Sequence, residues 1–190
     1  MSPVTHFEIS WIIAHIPKRL GRTERGLLLL TGTIPDLDGI GILFHGDLYV
    51  EYHHLLLHNL LFGIIISFLF SLLKAKNKVL VGTLCLIVFH VHMVCDLLGS
   101  GPGWPIAYLW PLSSHLYYFE YQWNLASWQN FAITVTSTFL LFYVAVKFGR
   151  TPIEFVSKRI DEKVVSAVRY RWDKCATQLR SFMKSSDDAQ

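Results

Sequence analysis

The chain has 190 residues, 52% of them hydrophobic and only 16% charged, with a mean hydropathy of +0.38. An ordinary soluble domain carries about a quarter charged residues, so the balance points to a single membrane-embedded domain and away from a soluble enzyme. The net charge of +3 is uneven: residues 150–190 hold nine Lys/Arg against six Asp/Glu, and the remainder holds eight of each sign. A modestly basic tail favours an anionic membrane surface, and no nucleic-acid partner is expected.

Cys85, Cys95 and Cys175 form no CxxC pair and are odd in number. Neither a disulfide framework nor a thiolate zinc site is expected. The start, MSPVTHFEIS, lacks a basic region and carries Glu8 in its first apolar stretch, so no cleavable signal peptide is expected.

In chain order, residues 5–17 read as a short helix, too short to cross a bilayer. Residues 26–44 (GLLLLTGTIPDLDGIGILF) read as a weak span interrupted by Pro35, Asp36 and Asp38. Residues 55–73 (LLLHNLLFGIIISFLFSLL) read as the clearest span, long enough for a hydrocarbon core of ~30 Å. Residues 79–98 and 128–148 read as two more. The glycines and prolines of residues 99–115 predict a re-entrant or folded-over loop. Residues 152–183 place Ile153, Val156, Ile160, Val164, Val168, Trp172, Cys175, Leu179 and Phe182 at three- and four-residue steps, an amphipathic helix. It could lie on the membrane, bind a partner or form a homodimer. The closing SSDDAQ reads as disordered. The expected fold is all-α and polytopic, with about four transmembrane helices, a short N-terminal helix and a C-terminal amphipathic helix. A membrane domain over 1–149 and a cytoplasmic tail over 150–190 are the expected divisions.

Lys and Arg set the expected orientation. Lys18, Arg19, Arg22 and Arg25, then Lys74, Lys76 and Lys78, then Lys147, Arg150 and the tail fall on the cytoplasmic side. The opposite side gathers Tyr108, Trp110, Tyr117, Tyr118, Tyr121, Trp123 and Trp128, rings that favour the headgroup layer.

This arrangement brings ionisable groups of separate segments to one depth near the outer face: Asp36 and Asp38, then His53, His54 and His58, then His92 and Asp96. His6 joins them if the first helix descends from outside. Ionisable groups inside a membrane are expensive and mark function. His92 and Asp96 are four apart and share a helix face. Helical spacing alone pairs His54 with His58. Imidazoles and carboxylates suit Zn, Mn or Fe, and so many of them could hold two ions, the arrangement that clamps both oxygens of a phosphoester. Plainer readings stand beside this one. Asp36 and Asp38 could cap a helix break, His92 and Asp96 could form a closed couple, and His90 could ligate or simply hydrogen-bond within the bundle. His15, His45 and His115 read as ordinary interfacial histidines.

These residues resemble the membrane-bound metal-dependent hydrolases, also called LexA-binding, inner-membrane-associated hydrolases, over about residues 1–115. The family's Thr-His is matched by Thr5-His6, its Pro-Asp-x-Asp by Pro35-Asp36-Leu37-Asp38, its His-x-x-x-Asp by His92 to Asp96 and its Trp-Pro by Trp110-Pro111. Its His-Arg-Gly-x-Thr-His-Ser motif is replaced by His53-His54-Leu55-Leu56-Leu57-His58-Asn59. His54 therefore stands in place of an Arg that would clamp a phosphate in two hydrogen bonds. The resemblance aligns His53 with His58 and leaves His54 as either a ligand or a phosphate contact. It implies a bacterial inner-membrane protein, and its name implies LexA binding.

The expected function is hydrolysis of a phosphoester or lipid-linked substrate near the outer headgroup layer. His6, Asp36, Asp38, His53, His58, His92 and Asp96 would hold one or two divalent ions, zinc foremost, with His54 and His90 as additions. Asp38 would be the general base, and residues 99–115 would rim the cleft. The alternatives are a non-catalytic metal- or haem-binding protein, an ion pathway and a membrane scaffold.

Overall fold

A computed structural model describes residues 1–73 and 76–187, with the side chains of 48, 50, 51 and 182–187 left out. Among the described residues the fold is all-helical, with seven α-helices, two 3₁₀ helices and no strand beyond an isolated bridge between Ile106 and Tyr117. The chain forms two compact units, Met1–Thr138 and Phe139–Gln190.

In the first unit, α1 spans Pro3–Ile13, and the Ser2 hydroxyl accepts from the Thr5 amide at its start. It follows that α1 ends before the expected residue 17. Helix α2, Arg22–Thr31, opens with the Glu24 carboxylate turned back to the Gly21 amide at 2.6 Å. This satisfies a donor that the first helical turn leaves unpaired. The chain then bends by 50° into a 3₁₀ helix, Ile34–Leu43. Ten residues is long for this geometry, whose hydrogen bonds are poor and whose runs rarely exceed three or four. Pro35 starts it, and Asp36 and Asp38 lie on it. Helix α3 follows over Gly46–Tyr52, α4 over Leu60–Leu72 and α5 over Lys78–Gly99.

The structure corrects the expected span over residues 55–73. α4 has 13 residues, about 20 Å of helix against a hydrocarbon core of ~30 Å. Residues 53–59 ahead of it are irregular. His54 and His58 therefore do not share a helix face, because the polar cost of three histidines and Asn59 is met by folding that stretch around one another. Two helices, α5 and α6 (Trp128–Phe148), are long and apolar enough to cross a membrane, or three spans if the bent pair of α2 and the 3₁₀ helix counts as one. The expected four are not found among the described residues.

The core of this unit lies where α2, α4 and α5 meet, with Leu28, Val81, Cys85 and Val88 almost fully buried. Gly32 permits the close approach of α1: a Cβ there would sit 1.8 Å from Ser10 Oγ. Polar contacts pin α1 to the first half of α6. Thr5 Oγ1 meets Thr134 Oγ1 at 2.7 Å, and the Glu8 carboxylate accepts from the hydroxyls of Ser137 and of Thr138, the latter at 2.7 Å. Residues 99–115 form an irregular loop, as expected.

In the second unit, a 3₁₀ turn over Pro152–Phe155 leads into α7, Lys158–Asp187. Asp161 accepts from the Thr151 amide at 2.8 Å and its hydroxyl at 2.6 Å. Arg169 donates twice to the Val146 carbonyl, one of the acceptors that the end of a helix leaves unpaired. α7 extends into the stretch expected to be disordered, and residues 188–190 lie outside the described residues, as do Lys74 and the side chain of Phe182.

Candidate metal centre

α5 supplies the regular half of the centre. His92 and Asp96 are one turn apart, with His92 Nε2 2.9 Å from Asp96 Oδ2. His92 Nδ1 donates to the Gly32 carbonyl at 2.9 Å. In a neutral ring this bond fixes the tautomer and turns the Nε2 lone pair inward. From α1, His6 places Nε2 3.0 Å from Asp96 Oδ1 and stacks on His92 with ring centroids 3.8 Å apart. The Ser100 hydroxyl donates to the same oxygen at 3.0 Å, and the Met1 amino group also reaches it.

The 3₁₀ helix brings both aspartates to this point. Asp36 Oδ1 lies 3.8 Å from His92 Nε2. Asp38 reaches two imidazoles at once, His53 Nδ1 at 2.7 Å from Oδ1 and His58 Nδ1 at 2.8 Å from Oδ2. His58 is thereby oriented with Nε2 towards the centre, 3.1 Å from His92 Nε2 and 3.3 Å from Asp96 Oδ2.

The irregular stretch before α4 is held by its own hydrogen bonds. Asn59 caps α4 through the Phe62 amide at 2.9 Å and donates back to the carbonyls of Leu55 and Leu56 at 3.0 and 2.8 Å. The Ala107 amide donates to the His54 carbonyl at 3.2 Å, and the Leu60 amide to that of Tyr108 at 2.8 Å. His54 itself has a φ of +67°, a strained backbone for a residue with a side chain. Its ring is buried with Nδ1 unpartnered. Burial first, and the neighbouring His58 second, push its pKa down to about 3, so the imidazole is neutral and able to ligate.

Three sets of residues bring ligand atoms within 4.8 Å of one another: His6, Asp36, His92 and Asp96; Asp38, His53 and His58; and His54, His58 and Asp96. Each could hold a metal ion. The donor chemistry fits. His58 Nε2 and His92 Nε2 sit 3.1 Å apart, near the ~3.3 Å ligand–ligand edge of a tetrahedron with metal bonds of ~2.0–2.1 Å. Asp36 Oδ2 is a buried carboxylate oxygen without a hydrogen-bond partner, a costly state that a cation relieves, and Asp96 Oδ2 faces the ring nitrogens of His92 and His58. Haem fits poorly: axial nitrogens of His58 and His92 would need about 4 Å between them, two metal–nitrogen bonds of ~2 Å, and they are 3.1 Å apart.

Every residue of the principal expected set lies in one of these groups, and so does His54. His90 does not. It lies two residues before His92, about 200° around the helix, where Nδ1 meets the Leu86 carbonyl at 2.7 Å and Nε2 the Tyr108 hydroxyl at 2.8 Å. Three contributors escape sequence reasoning. Asn59 carries a legible signal, an N-cap residue before an apolar run. Ser100 stands four residues after Asp96, a helical spacing that returns its hydroxyl to that carboxylate, whereas Gly32 carries no signal, because its contact with His92 arises only when α2 and α5 come together.

A family model described as YdjM inner membrane protein matches residues 1–167. No curated protein and no solved structure matches the chain. The description speaks of an inner-membrane protein and names nothing that it hydrolyses or binds.

Proposed function

The chain belongs to the YdjM inner membrane protein family, and we propose that it is a membrane-embedded, metal-dependent hydrolase. One divalent ion, zinc foremost, would be held by His6, Asp36, His92 and Asp96, and a second by Asp38, His53 and His58. The observation that carries this reading is the grouping of His6, Asp36, His92 and Asp96, whose ligand atoms lie within 4.8 Å of one another, together with a buried Asp36 oxygen that has no hydrogen-bond partner. A divalent ion bound there would lower the pKa of water and polarise an ester oxygen.

The chain's own groups divide the remaining work. Asp38 has both oxygens engaged by histidines, so it orients or ligates and leaves the base role expected of it to another carboxylate. A cavity of about 280 Å³ opens beside the centre, bordered by Tyr49, His53, Ser100, Trp104 and Asn124. Neither Lys nor Arg lines it among the described residues. With His54 in place of the resembled family's Arg, the anionic part of a substrate would be met by the metal, by the amino group of Met1, which also lines the cavity, and by neutral donors.

On the Lys and Arg bias, this cavity would lie at the outer headgroup layer and the basic tail in the cytoplasm. A phosphoester or lipid-linked ester is the substrate class that this depth suits. The test is elemental analysis of detergent-purified wild type beside His92→Ala and Asp36→Ala. Stoichiometric Zn, Mn or Fe, lost in both variants, is expected and leads to a screen of phosphoester and lipid-ester substrates. No metal after reconstitution sinks the hydrolase reading.

A further inference from the structure

Residues 102–105 line two cavities, with Pro102 common to both, and the two differ in character. The chamber beside the metal centre is bordered by Met1 and Ser100, which both bond Asp96, and by His53, whose ring bonds Asp38. The second, a trough of about 480 Å³, is lined mainly by apolar groups, Pro105, Leu116, Tyr118 and Phe119, with Glu120 and Gln122 beside them. Pro102 borders both cavities, Trp104 faces the chamber, and Gly103 and Pro105 face the trough. A Cβ at Gly103 would meet nothing within 4 Å, so the trough is open beside the partition. Its far side is apolar and uncovered, with Leu116 51% and Tyr118 73% exposed.

We infer that the site takes an amphiphile, its polar head in the chamber and a single alkyl chain laid along the trough. A small water-soluble ester would use the chamber alone and make no use of the apolar wall of Leu116 and Phe119. Both volumes together fall within the ~300–1,000 Å³ typical of ligand sites. The inference rests on the hydrolase reading for the placement of the head at the metal centre; the trough's contribution is measured separately.

The test is isothermal titration of metal-restored protein with methyl-, propyl- and hexylphosphonate, chosen because they bind without being hydrolysed. Affinity is expected to rise roughly two- to fourfold for each methylene that enters the trough. Phe119→Asp and Leu116→Asp, both at exposed positions, are expected to flatten that series. Methylphosphonate binding should stay within about twofold in both, because substitutions at exposed positions seldom disturb the rest of a fold by more than that. Metal-dependent methylphosphonate binding with no chain-length gradient would overturn the amphiphile and leave the metal centre standing. A gradient unchanged in both variants would overturn the trough as its cause. Absence of any phosphonate binding to metal-loaded protein would overturn the placement of the head, and the inference with it.

Discussion

α5 delivers His92 and Asp96 from a regular 22-residue helix, whereas residues 53–59 deliver His53, His54 and His58 from backbone that is not helical. On the helix, the spacing of two ligands follows from 3.6 residues per turn and needs no other support. In the irregular stretch nothing local sets the spacing. It is imposed by Asn59, by backbone bonds to Ala107 and Tyr108, and by Asp38 gripping two rings. The difference teaches that one half of the centre is pre-formed by secondary structure, and the other half depends on its surroundings.

The largest effect is expected where the halves join. Asp96 meets His6 and His92 on one side and His58 on the other. Asp96→Ala should lower bound metal from stoichiometric to less than about a tenth, because it leaves buried imidazoles facing one another without a counter-charge. Elemental analysis reads this directly. Metal retained in full would mean that the two halves bind independently.

Removing the support of the irregular half comes next. Asn59→Ala should weaken metal binding about 10–100-fold through displaced ligands and cost about 0.5–2 kcal/mol of stability through the lost cap. Competition with a calibrated chelator and thermal unfolding measure the two. Ser100→Ala, on the regular half, should do much less to both. Equal effects would erase the distinction drawn between the halves.

His54 sharpens the comparison further. Both His54→Gly and His54→Ala lose the imidazole, but only glycine takes a φ of +67° at no cost. The glycine variant should be the more stable of the two by about 1 kcal/mol. Equal unfolding temperatures would show that the strain is relieved by movement of the loop. The smallest effect is expected from His90→Gln, which breaks the bond to Tyr108 and should leave metal content unchanged. Loss of metal there would mean that α5 contributes from a second face.

The helical class, the two long apolar helices and the pairing of His92 with Asp96 are legible in the sequence because each rests on local periodicity. The span expected over residues 55–73 fails for the same reason. Hydropathy averages over a window, and the apolar Leu55, Leu56 and Leu57 hide a stretch whose backbone is folded around its histidines. His90 is ambiguous in sequence because a histidine in an apolar helix has the same signature whether it meets a metal or a tyrosine hydroxyl.

By itself the sequence determined which side chains could ligate, since their types and their place in an apolar chain are written in it. It also determined the membrane character, through composition and the lengths of α5 and α6. Only the tertiary structure decided how those ligands divide into groups. Gly32 brings a carbonyl to His92, the bent 3₁₀ helix carries Asp36 and Asp38 to different rings, and the positive φ of His54 turns its side chain inward. Ligation depends on distances of a few ångströms between residues far apart in the chain, and such distances are set by packing and not by the order of the residues.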